Sequence, residues 1–110
     1  MATIEAFQAI DIRAGRVIAA APLAGARRPA LCLTIDFGPE LGERQSTAQI
    51  TALYTPEALT GRQVLAVVNL PPRRVAGARS EVLVLGLSDA EGRVVLACPD
   101  STVPEGAPLH

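Results

Sequence analysis

Between residues 30 and 37 apolar and polar positions alternate. Leu31, Leu33, Ile35 and Phe37 share one face, and Cys32, Thr34 and Asp36 share the other. A two-residue period is that of a half-buried strand, so Ala30–Phe37 is predicted as one, ended by Gly38-Pro39. Upstream, Ile10–Ala21 reads as a strand in which Gly15 marks a bulge or a close backbone approach. The intervening Pro22–Pro29 holds two prolines, a glycine and two arginines and reads as a hairpin loop. Further strands are predicted within Gly42–Ile50 and over Gln63–Leu70, Glu81–Leu87 and Arg93–Cys98, the last two joined by the turn Ser88–Gly92.

Helical signals are short. Thr55 suits an N-cap, Pro56 the first helical position and Gly61 the stop, which predicts a turn of helix over Pro56–Thr60. Thr3–Gln8 can form one more turn capped by Thr3, with Ile4, Phe7 and Ile10 as an apolar edge. Pro99–Leu109, with its three prolines, reads as a tail extended along the surface. Five to six strands with one or two short helices is the pattern of an all-β OB-fold barrel, and residues 1–110 are predicted to form a single domain.

Three runs do not alternate: Val64–Val68, Val82–Leu85 and Val94–Ala97 are apolar on both faces. A small antiparallel barrel covers only their inner side. An uncovered outer face of this kind predicts a homodimer, because a twofold axis lets one patch cover itself.

Composition narrows the function. Apolar residues make up 49% of the chain and charged residues 19%, which excludes a disordered chain. No apolar run approaches the ~20 residues of a membrane span, and no basic leader precedes an apolar core, so a cytoplasmic location without membrane insertion is expected. All ten basic residues are arginine, and the net charge is −1. Nucleic-acid binding then has to rest on a local patch rather than on overall charge. Cys32 and Cys98 are too few for a zinc site, and the single histidine is the terminal His110, so no metal and no cofactor is expected. No nucleophile–base set and no phosphate loop is present, which argues against an enzyme.

Two polar stretches are candidate sites. Asn69-Leu70-Pro71-Pro72-Arg73-Arg74-Val75-Ala76-Gly77-Ala78-Arg79-Ser80-Glu81 carries three arginines within seven residues. Guanidinium forks suit phosphates and carboxylates, but an ordinary solvated loop with Glu81 pairing the arginines fits the same charges. No aromatic lies in the stretch to stack on a base. In Gln45-Ser46-Thr47-Ala48-Gln49-Ile50 the polar positions read either as a solvated strand face or as hydrogen-bonding partners for an extended ligand.

These stretches carry a family resemblance. Asp11-Ile12-Arg13-Ala14-Gly15-Arg16-Val17, Tyr54 to Gly61, Val67 to Gly77 and Ser80-Glu81 resemble, in order and spacing, the tRNA-binding domains appended to some aminoacyl-tRNA synthetases. Gln45–Ile50 and Ser80–Leu85 are similar to the CsaA-type secretion-chaperone branch of that family. A Gly-Met pair tends to follow the serine and its neighbour in synthetase-type domains, and Val82-Leu83 stands there instead. The resemblance implies an OB-fold homodimer acting as an ATP-independent export chaperone. Such a dimer binds unfolded precursor proteins in an apolar depression and presents them to the Sec export machinery. The alternative implied is a tRNA-binding module using the arginine loop. The residues carried over as ligand contacts or framework are Asn69, Arg73, Arg74, Ser80 and Glu81, with Gln45, Ser46, Gln49 and Arg79 added from the polar stretches.

Overall fold

A computed structural model describes residues 1–110. The alternating segment becomes β2 (Leu31–Asp36) at the heart of a five-stranded sheet. Its partners are β1 (Ile12–Pro22) and β3 (Glu43–Ala48), both antiparallel. β1 also pairs with β4 (Gln63–Val67), which pairs with β7 (Leu83–Val84). The order β3-β2-β1-β4-β7, with β7 returning toward β3, makes a nearly closed OB-type barrel. Two hairpins stand off it: β5 (Arg73–Val75) with β6 (Ala78–Ser80), and β8 (Gly86–Ser88) with β9 (Val94–Leu96).

The barrel is filled by the predicted inward face of β2. Leu33, Ile35 and Phe37 are essentially inaccessible, packed with Val17, Leu59, Val64 and Ala66. Burying each such side chain contributes about 1.5–3 kcal/mol. Gly15 serves the close approach rather than a bulge: a Cβ there would sit 2.5 Å from Ile35 Cγ2 and 2.7 Å from the Phe37 ring. The bulge in β1 falls at Ile18 instead, between Val17 and Ala19. β1 changes partner just before it, at Arg16, which pairs with both Gln63 of β4 and Asp36 of β2.

Three short helices complete the chain. In α1 (Ile4–Gln8) the Thr3 hydroxyl accepts from Ala6 N–H at 3.1 Å, and in α3 (Pro56–Leu59) Thr55 accepts from Ala58 N–H at 3.2 Å. The third, α2 (Gly38–Leu41), occupies the Gly-Pro segment expected only to end a strand. The predicted strand Glu81–Leu87 is interrupted at Leu85. Its N–H donates to Leu65 O at 2.9 Å while its carbonyl accepts from Ala97 N–H at 3.0 Å, so β4 and both later segments meet there. The tail is not merely laid on the surface. Ala14 N–H donates to Ala107 O at 2.9 Å, Gly106 N–H donates to Ala14 O at 2.7 Å, and Leu109 N–H donates to Ile12 O at 2.9 Å. The tail thus pairs with β1 where β2 has ended. No helix is long and apolar enough to cross a membrane.

The two-sided runs are covered in part by the chain itself, since Val67 and Val68 are buried. Leu83, Leu87 and Val95 remain exposed on the outer face of the same strands.

Candidate ligand-binding groove

The barrel closes through side chains. Glu81 N–H donates to Gln45 O at 2.7 Å, and the Glu81 carboxylate accepts from Gln45 N–H at 3.1 Å. One residue on, the buried Ser46 hydroxyl donates to Val82 O at 2.8 Å, and Thr47 N–H donates to the Ser80 hydroxyl at 3.1 Å. Asn69 clasps the entry to β1, accepting from Asp11 N–H and donating to Ala9 O, both at 2.9 Å. Buried polar groups are costly unless paired, and every buried side-chain nitrogen and oxygen here has a partner. Of the predicted contacts, Ser46, Asn69, Ser80 and Glu81 therefore hold the frame on which the rest is mounted. Gln45 is exposed and contributes its backbone to the seam.

The stretch read as an arginine loop is a β-hairpin. Arg73 pairs with Ser80, Arg74 with Arg79 and Val75 with Ala78. Its two-residue turn has positive φ at both central residues, 48° at Ala76 and 83° at Gly77. This is the primed turn that matches strand twist. Arg73 borders two concavities, a smaller one of about 280 Å³ shared with Pro72, Arg74 and Arg79, and the main groove. Arg73 and Val75 project into this groove, of about 640 Å³. Arg74 and Arg79 stand directly opposite each other on the other face, an arrangement that costs stability between like charges. Arg79 lies 3.9 Å from Glu81, and Arg74 donates to Gly77 O at 3.3 Å.

Five elements line the groove, the β5–β6 hairpin among them. Thr47, Ala48 and Gln49 come from the end of β3 and the residue after it, with Ile50 beyond them. Val84 and Val94 extend the apolar lining, and the β1–β2 loop adds Arg27 and Arg28. That loop is tied at its base by Leu23 N–H donating to Ala30 O at 2.9 Å, so its tip is presented across from the hairpin. No Asp or Glu lines the groove, and Arg27, Arg28 and Arg73 have neither a salt bridge nor a side-chain hydrogen bond. Sequence reading assigned Arg27 and Arg28 only to a loop. Their place in one groove with Arg73 follows from strand order, which no local pattern reveals.

Four other arginines, Arg13, Arg16, Arg79 and Arg93, are matched with acids. Arg16 Nε donates to Glu105 at 2.6 Å, and Arg13 Nε donates to Asp11 at 2.7 Å. The Arg16 hydrogen bond holds the Glu105 carboxyl below its usual range, and the Asp11 hydrogen bond raises the Arg13 guanidinium. In the β8–β9 turn, Asp89 is lowered by the backbone N–H of Arg93 and by its guanidinium, 2.8 Å away. Cys32 and Cys98 are free, the first half-buried and the second exposed.

A protein-family model described as a putative tRNA binding domain matches residues 12–108. Methionine--tRNA ligase of Methanothrix thermoacetophila is 39% identical over 104 residues, covering 94% of this chain and 15% of the ligase. The chain thus spans only a small part of the curated relatives it matches. Chaperone CsaA of Bacillus anthracis str. Ames superposes with a TM-score of 0.93 at 52% identity, covering 100% of this chain and 99% of that one. The CsaA chaperone protein of Picrophilus torridus gives the same TM-score, 0.93, at 40% identity, covering 100% of both chains.

Proposed function

The chain belongs to the family of tRNA-binding domains, and from that premise we propose that it is a non-catalytic, ATP-independent chaperone that binds unfolded precursor polypeptides in the groove between the β1–β2 loop and the β5–β6 hairpin. The observation that carries the reading is the chemistry of that groove. Its lining is mainly apolar, it is open, and no aromatic residue lies in it. An extended polypeptide offers apolar side chains to such a lining and backbone groups to Gln49 and Thr47. A single-stranded nucleic acid calls for stacking platforms, and the chain's Phe7, Phe37 and Tyr54 all lie elsewhere. Full-length likeness to two CsaA chaperones supports the same reading. In a cytosolic setting the bound precursor passes to the Sec export machinery by exchange of partners.

The working unit in this proposal is a homodimer that covers Leu87 and Val95 and leaves Leu83, which lines the groove, open to the peptide. Sedimentation of the purified protein at micromolar concentration is expected to give a species of twice the 11.4 kDa chain mass. A lone 11.4 kDa species removes the dimer from the account.

The second reading, recognition of folded tRNA, is favoured by the unmatched Arg73 and by the facing pair Arg74 and Arg79. A salt titration with an unstructured precursor peptide and folded tRNA side by side separates the two. The chaperone reading expects peptide binding that persists as salt rises, with negligible tRNA binding. Binding of tRNA alone, falling steeply with salt, overturns it.

A further inference from the structure

We propose that the groove selects among unfolded segments by charge, taking apolar segments flanked by Asp or Glu in preference to neutral or basic ones, and that Arg27 and Arg28 of the β1–β2 loop are the residues that impose the preference. This rests on the peptide-binding reading above and adds the class of segment.

Three guanidiniums, Arg27, Arg28 and Arg73, face one apolar groove without a single carboxylate in its lining. The chain as a whole carries a net charge of −1, so this wall is a local excess and not a share of a general one. Four other arginines have acids: Arg13 has Asp11, Arg16 has Glu105, Arg79 has Glu81, and Arg93 has both Asp89 and Glu91, while Arg44, Arg62 and Arg74 are held by a carbonyl or an aromatic ring. A local excess of positive charge lining an apolar groove attracts an anionic segment.

The geometry fits a peptide carboxylate. Arginine stems lie along apolar surface while their heads reach water, so one segment can place apolar side chains against Ile50 and Val84 and its acids on the guanidinium forks. The loop and the hairpin both line the groove, so acids flanking an apolar stretch have guanidiniums from two elements to meet. A polynucleotide satisfies the arginines but leaves the apolar lining unmatched.

The test uses three unstructured peptides with one apolar centre and flanks of Asp/Glu, Ser or Lys, bound to the full chain and to Arg27→Gln/Arg28→Gln. The loop is exposed, so the variant is expected to melt with the parent. For the parent, the acidic peptide is expected to bind about tenfold more tightly than the Ser-flanked one, and the Lys-flanked one more weakly still. The acidic advantage should fall below about threefold in the variant and in ~0.5 M salt, where charges are screened within a few ångströms. The Ser-flanked peptide should lose less affinity than the acidic one in each case, so that the ratio of the two and not the basal affinity is the readout. Arg27→Glu/Arg28→Glu should reverse the order.

Equal binding of all three peptides by the parent overturns the inference and leaves the chaperone reading standing. A preference that survives in both variants reassigns it to other residues and overturns the role given to Arg27 and Arg28. If no peptide binds and folded tRNA does, the chaperone reading and this inference fall together.

Discussion

Arginine occurs at two ends of this barrel under opposite conditions. Where the tail returns to β1, Arg13 and Arg16 are bound to Asp11 and Glu105 at 2.7 and 2.6 Å, and Gln63 adds a 2.7 Å donation to Val103 O. Around the groove, Arg27, Arg28 and Arg73 touch no acid. One end uses arginine to hold its own chain, and the other presents arginine to something else. Surface pairs contribute little each, so the value of the first end lies in fixing the tail's register. The second end contributes nothing to the fold that its removal would cost.

This contrast predicts a graded set of outcomes. The largest belongs to the clasped end. Gly106 has φ 91°, and a Cβ there would overlap the Phe37 carbonyl oxygen. Gly106→Val is expected to cost about 3 kcal/mol, from left-handed strain and overlap together. For a domain of this size that is a melting temperature lower by roughly 12–24 °C. The folded fraction should bind peptide as the parent does. A loss of affinity matching the loss of stability would mean that the two ends are not separable.

The next effect divides stability from binding. Arg27→Ala/Arg28→Ala/Arg73→Ala is expected to change stability by no more than ~0.5 kcal/mol, the range of surface substitutions without partners. Affinity for an acidic unfolded peptide should fall about tenfold or more. Calorimetry and anisotropy on one preparation measure both. A large loss of stability would show that these arginines hold the fold after all.

The smallest effect is a pH dependence at the clasp. Glu105 titrates lower in the folded chain because Arg16 hydrogen-bonds its carboxylate. A carboxyl lowered on folding contributes stability above its unfolded value, and that contribution is lost as the pH falls through the folded value. Glu105→Gln should therefore melt below the parent at neutral pH, and the gap should close in acid. Thermal melts across the acid range check this, and a gap that widens in acid contradicts it.

Much of the frame was legible in the sequence. The alternation of Leu31, Leu33, Ile35 and Phe37 marks an inner face because β2 is covered on one side only. Thr3 and Thr55 announce helices because a hydroxyl before a helical turn has an unmatched N–H to accept. The features that escaped depend on distant partners. The β5–β6 turn puts Ala76 at positive φ, and alanine gives no sign of it. The break at Leu85 exists because Leu65 and Ala97 converge on it from elsewhere in the chain. Ser46 and Ser80 look like ligand contacts in a polar run, and only the closed barrel shows that they face each other's strands. Arg27 and Arg28 become groove residues for the same reason, since Arg73, which lines the groove with them, lies 45 positions after Arg28.

The most direct test of the account is a map of backbone amide shifts as an unstructured, acid-flanked precursor peptide is titrated into the isotope-labelled protein. The account predicts shifts concentrated at Arg27, Arg28, Gln49, Ile50, Arg73 and Val75, with Arg13, Arg16 and Glu105 unmoved. Shifts centred on the clasped end, or none at saturating peptide, would contradict it.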